Sequence, residues 1–162
     1  MSEYNAILIG EPMVEFSKNW KPRDYGNLSA DKVKKMRVDV ANLAKSVFTK
    51  VLSDGGYKIA TAAADGVLAV TPNIVDLYVT APDVMKPGRS RTYVMDAGSM
   101  TLALQVNDAV TGTLLAVAYD KKGMQYGTVQ WATSVSNRAA ATTVLQGWAK
   151  QLKTQLDAAR AK

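Results

Sequence analysis

Between Met100 and Tyr119 two alternating apolar tracts flank the segment Asn107-Asp108-Ala109-Val110-Thr111-Gly112, a pattern that leaves the chain little conformational choice. Met100, Leu102, Leu104 and Val106 alternate with Thr101, Ala103, Gln105 and Asn107, the period of a strand with one buried face. Thr113 to Tyr119 continues with the same period. An Asp side chain accepts readily from a backbone N–H two residues on, and glycine takes the positive φ that closes a short hairpin loop. The stretch therefore predicts a β-hairpin with Asp108 and Gly112 as its structural turn. The rival reading of Asp108 as a calcium ligand needs oxygens at alternate positions and a distal Glu, whereas Ala109, Val110 and Leu114 occupy most of those places.

Around this hairpin the remaining elements can be placed in turn. Ala6 to Gly10 reads as a short buried strand, extended past a bulge by Met13 to Phe16, and Ser17 to Asn27 as a loop carrying Trp20 and Tyr25. From Ala30 to Ser53, Val33, Met36, Val40, Leu43, Ala44, Val47 and Val51 step by three and four, the stripe of an amphipathic helix. Ser29 is its N-cap, and Gly55-Gly56 stops it. Burying five or six such side chains is worth about 10 kcal/mol, which directs the stripe against a sheet.

Gly66 to Thr71 and Asn73 to Thr80 read as two strand pieces parted by Pro72, which predicts a bulge, edge position or turn there. In the second piece Val75, Leu77 and Val79 form the aliphatic face. After a loop from Ala81 to Arg91, Thr92 to Met95 starts a strand that Gly98 breaks or bulges. Asp120 to Gly123 reads as a turn and Tyr126 to Trp131 as a final short strand. A C-terminal helix over about 137–161 carries the stripe Ala141, Leu145, Trp148, Leu152, Leu156 and Ala159, with Ser136 as N-cap.

The order β-α-β-β-β-β-α predicts a single α+β domain over residues 1–162, an antiparallel sheet of about five strands covered on one face by two helices. A chain of 162 residues is long enough to close one core. It contains no cysteine and no histidine, which excludes thiol nucleophiles, disulfides, thiolate or imidazole zinc sites and Ser-His-Asp hydrolysis. No cofactor or metal is expected. The longest apolar run, Leu114 to Tyr119, is far too short to span a bilayer. MSEYNAILIG also lacks the features of a signal peptide.

Two weaker signals compete with a purely structural reading. Asp76 and Asp96 lie in or beside strand patterns, and a carboxylate pair across a cleft could run glycoside hydrolysis. The residues Trp20, Lys21, Arg23 and Tyr25, together with Lys86, Arg89 and Arg91, could form a basic and aromatic partner-binding surface. The formal charge of +6 is spread along the chain without a run of like charges. That pattern disfavours nucleic acid as partner and describes a mildly basic, solvated surface.

In order along the chain, YNAILIGEPMVEF, LSDGGYKIA, NIVDLYVTAPD, PGRSRTYVMDAGSMTL, DAVTG and WAKQL resemble an uncharacterised bacterial domain-of-unknown-function family. That family consists largely of proteobacterial envelope lipoproteins. The resemblance implies an address on the periplasmic side; together with the absence of catalytic constellations it predicts a non-catalytic module with an unknown protein or cell-envelope component as partner. It also implies that a lipidated leader and polar tether precede Met1 in the natural protein and anchor it to a membrane. It brings no functional residues with it.

Overall fold

The computed structural model describes residues 1–25, 27–80, 93–131 and 134–162. The elements are β1 (Ala6–Ile9), β2 (Val14–Phe16), a one-turn 3₁₀ helix (Pro22–Tyr25), α1 (Ala30–Asp54), β3 (Lys58–Ile59), β4 (Val67–Val79), β5 (Tyr93–Asp108), β6 (Leu114–Trp131) and α2 (Ser134–Arg160). They build an α+β fold around one six-stranded sheet in the order β3-β1-β4-β5-β6, with β2 also pairing with β4. Phe48, Leu52, Leu145 and Trp148 of the helices share one core with Leu68, Val70, Ile74, Met100, Leu102 and Leu104 of the sheet.

The sheet is mostly antiparallel, as the order of elements predicts, but its first strands add parallel pairs. β4, β5 and β6 are antiparallel, but β1 runs parallel to β3 and β4, and β2 parallel to β4. The cause is α1: a helix between two strands carries the chain back to the end of the sheet from which it started, so the next strand enters parallel. Ser29 caps α1 by accepting from the Lys32 amide at 3.2 Å. The face it buries is turned slightly from the expected stripe, because Phe48 and Leu52 are fully enclosed while Val51 is only partly so. α2 starts at Ser134, so Ser136 falls in its first turn and is not the residue preceding it.

Pro72 does not break β4. Its neighbours Val70 and Ile74 turn their main-chain groups toward β1 and β2, since Gly10 N donates to Val70 O at 2.8 Å and Ile74 N to Met13 O at 2.8 Å. Pro72 has the same parity, and its missing N–H faces the gap between β1 and β2, where no ladder bond is called for. The irregularity falls later, at Asp76, whose φ is +52° and where the β4–β5 register shifts between Val75 and Tyr78. That extra residue passes the core position to Leu77, so Ile74 and Leu77 are buried in place of the expected Val75, Leu77 and Val79 set.

Asp120 to Gly123 likewise is no turn. The ladder runs through it, with Leu102 opposite Asp120, Thr101 opposite Lys121, Met100 opposite Lys122 and Ser99 opposite Gly123. Tertiary partners override the local turn tendency: the Trp148 indole N–H donates to Asp120 at 2.7 Å, and Lys121 meets Asp76 at 2.8 Å. β5 and β6 are consequently one long hairpin, and Tyr126 to Trp131 is the end of β6.

Candidate functional site

At the tip of the hairpin, Asp108 binds its own loop. Its Oδ1 accepts from the amides of Val110 at 2.9 Å and Thr111 at 2.8 Å and from the Thr111 hydroxyl, while Oδ2 accepts from the Tyr4 hydroxyl at 3.0 Å. Asp108 N donates to Thr113 O and Gly112 N to Asp108 O, and Gly112 has φ +71°. The Thr111 amide, helped by Tyr4 and Val110, holds the Asp108 carboxyl below the usual carboxylate range. Both oxygens serve the turn and its anchorage to the N-terminal segment.

A second Tyr–Asp pair ties α2 to the opposite sheet edge. Tyr57 donates to Asp157 Oδ1 at 2.6 Å, Lys153 meets Asp157 Oδ2 at 2.6 Å, and Arg160 stacks on the Tyr57 ring while donating to Tyr4 O. Burial, reinforced by Asp157, pushes the Tyr57 hydroxyl up to about 12. Lys153 in turn holds the Asp157 carboxyl below its ordinary range. Folding thus favours the ionised Asp108 and Asp157 and the neutral Tyr57.

Opposite pH limits follow. Depressed carboxyls contribute stability that is fully present above their unfolded value of 3.8 and lost as pH falls through their folded values. The raised Tyr57 contributes stability fully present below its unfolded value of 10.0 and lost as pH rises toward about 12. Thermal unfolding followed across pH should give a plateau between roughly pH 5 and 9 with a fall on each side. Tyr57→Phe should flatten the alkaline fall, and an unchanged alkaline limb in that variant would remove Tyr57 as its cause.

Asp76 and Asp96 are not brought together. Asp76 sits at the β4 bulge, its carboxyl held down first by Lys121 and then by Ser17. Asp96 pairs with Gln125, beyond the contact of Val79 with Gly98. About four ladder steps part the two backbones, roughly 13 Å along the strands. Among the described residues no three carboxylates converge as a metal site.

The basic and aromatic loop surface is only partly assembled. Trp20 is 5% exposed, stacked on Phe16 at 4.2 Å between ring centroids, and its indole N–H donates to Val79 O at 3.0 Å. It is an anchor for the loop and presents no face to a partner. Lys21 and Arg23 are exposed, the latter 3.8 Å from Asp24. The Tyr25 side chain and Lys86, Arg89 and Arg91 lie outside the described residues.

The prominent surface lies elsewhere, on β6. Leu114, Leu115, Val117 and Tyr119 are exposed, Tyr119 at 70%, and so are Ala116 and Ala118 between them. Register places Ala116 and Ala118 on the core side, opposite Val106 and Leu104, and Val117 and Tyr119 on the other face, opposite Gln105 and Ala103. This half of the strand therefore projects past the helices with both faces wet. The alternation of β6 carried one signal of this, alanine where a core strand would present larger side chains.

No curated protein matches the sequence. Among solved structures, a minor lipoprotein from Acinetobacter baumannii superposes with a TM-score of 0.51 at 10% identity, covering 97% of this chain and 95% of its own. A DUF330 protein from Xanthomonas campestris is similar at a TM-score of 0.48 and 14% identity, over 96% and 88% of the two chains. The first of these likenesses concerns the fold. The family model described as protein of unknown function, DUF3313, matches residues 2–152, and the chain belongs to that family.

Proposed function

We propose that the protein is a non-catalytic, lipid-anchored module on the periplasmic side of the bacterial envelope, which binds a protein partner through the hairpin of β5 and β6. The observation that carries the binding reading is the apolar projecting half of β6, with Val117 and Tyr119 about half and two-thirds exposed on a face that, among the described residues, no helix covers. Monomeric surfaces seldom leave contiguous apolar side chains in water without a partner for them. Two of the carboxylates are occupied otherwise: Asp108 closes a turn and Asp76 pairs with Lys121. The envelope address draws on the lipoprotein of like fold from Acinetobacter baumannii. Among the described residues no helix is long and apolar enough to cross a membrane.

The test is expression of the gene from its native start with metabolic palmitate labelling, fractionation, and protease treatment of spheroplasts. The labelled protein should sediment with membranes and be cleaved from outside the inner membrane. An unlabelled protein in the cytosolic fraction would overturn the address.

A further inference from the structure

β6 ends the sheet. One side of its 18 residues pairs with β5, and among the described residues no strand lies along the other. An open edge of this length presents a row of unpaired main-chain donors and acceptors to any strand that fits.

The pleat shows which residues face outward. Pro72 turns its main-chain groups toward β1 and β2, so Leu104, its antiparallel partner, turns its own toward β6, and Ala118 opposite Leu104 turns back toward β5. By alternation Val117, Tyr119, Lys121 and Gly123 direct their N–H and C=O groups to the open edge.

Edges of this kind are usually blunted by proline or by charged side chains, lysine above all. From Leu114 to Trp131 there is no proline, and both lysines have acidic partners, Lys121 with Asp76 at 2.8 Å and Lys122 with Asp120 at 3.7 Å. The order Asp120-Lys121-Lys122 is also self-complementary. In an antiparallel pairing of two identical strands about a two-fold axis at Lys121, Asp120 faces the other copy's Lys122 and Lys122 its Asp120, while the two Lys121 meet at the axis, each with its charge offset by its own Asp76 at 2.8 Å. Tyr119 then lies across from Gly123, where an aromatic ring can cover a bare backbone, and Ala118 across from Met124. The main-chain bonds of that register fall on Tyr119, Lys121 and Gly123, the residues whose groups face outward. An isologous contact of this type closes at two copies.

We infer that the partner of this strand is a second copy of the same chain, paired β6 to β6 in antiparallel register centred on Lys121 and joining the two sheets into one. The inference rests on the binding role of β6 given above and names its occupant.

Sedimentation of the purified chain over a concentration range tests it, with Tyr119→Pro as the disrupting variant. Proline there removes an N–H that faces solvent in the monomer, so unfolding should be little changed while dimer dissociation strengthens at least tenfold. Because the chain has no cysteine, Lys121→Cys should oxidise to a covalent dimer, whereas Tyr119→Cys, set well off the axis, should not. A wild-type chain that stays monomeric throughout, a dimer indifferent to Tyr119→Pro, or preferential cross-linking through Tyr119→Cys would each overturn the inference. None of those results bears on palmitate labelling or fractionation, so the envelope reading stands or falls separately.

Discussion

Gly98→Ala is expected to destabilise the protein by on the order of 4 kcal/mol. Gly98 has φ +125°, a conformation L side chains rarely adopt, and it is buried where β5 meets the end of β4. A Cβ there would stand 1.8 Å from Tyr78 O, 2.8 Å from Tyr78 C and 3.1 Å from Val79 Cα, all backbone atoms that cannot swing aside. The strain of a positive φ and the cost of overpacking therefore act together. Relief requires parting β4 from β5 just past the Asp76 bulge. A loss of that size is a large part of a typical domain's total of about 5–15 kcal/mol. Gly147→Ala is the contrasting control: that glycine is exposed within α2 with nothing near its added methyl, so the change should stabilise by roughly 1 kcal/mol through helix propensity. Urea unfolding of both variants checks the pair, and a Gly98→Ala protein as stable as wild type would contradict the close approach of Tyr78.

Trp148→Ala should cost about 3–5 kcal/mol, the range for removing a buried large aromatic. Trp148 is 2% exposed in the shared core, and its indole N–H reaches Asp120 Oδ2 at 2.7 Å, which fastens α2 to the middle of β6. Trp148→Phe keeps most of the packing and removes the donor. It should cost less, about 1–2 kcal/mol, because the half-exposed Asp120 retains water and Lys122 as partners. Denaturant midpoints at fixed slope separate the two contributions. Equal losses for Phe and Ala would mean that the hydrogen bond, and not the ring, holds the helix in place.

The residues that could be placed from sequence were those whose surroundings are local. Ser29 capping α1, the alternation of Met100 to Val106, and Asp108 with Gly112 in the hairpin turn each depend on neighbours a few positions away. Pro72 and Asp120 to Gly123 were misread because their turn tendencies yield to partners remote in the chain. Pro72 is accommodated by a break between β1 and β2, and Asp120 is satisfied by Trp148 from α2. Trp20, an aromatic in a polar loop, is tucked under it by a ring stack with Phe16 and a bond to the carbonyl of Val79.

Period, capping residues and the lack of cysteine and histidine thus determined the α+β composition of the chain and the chemistries closed to it. Parallel entry of the first strands, the bulge that passes a core position to Leu77, and the exposure of one apolar strand were decided only by the tertiary structure. The physical reason is that a strand's period records which side chains share a face, while the helices that cover a face, and the place where that cover stops short of β6, depend on contacts made across the whole chain.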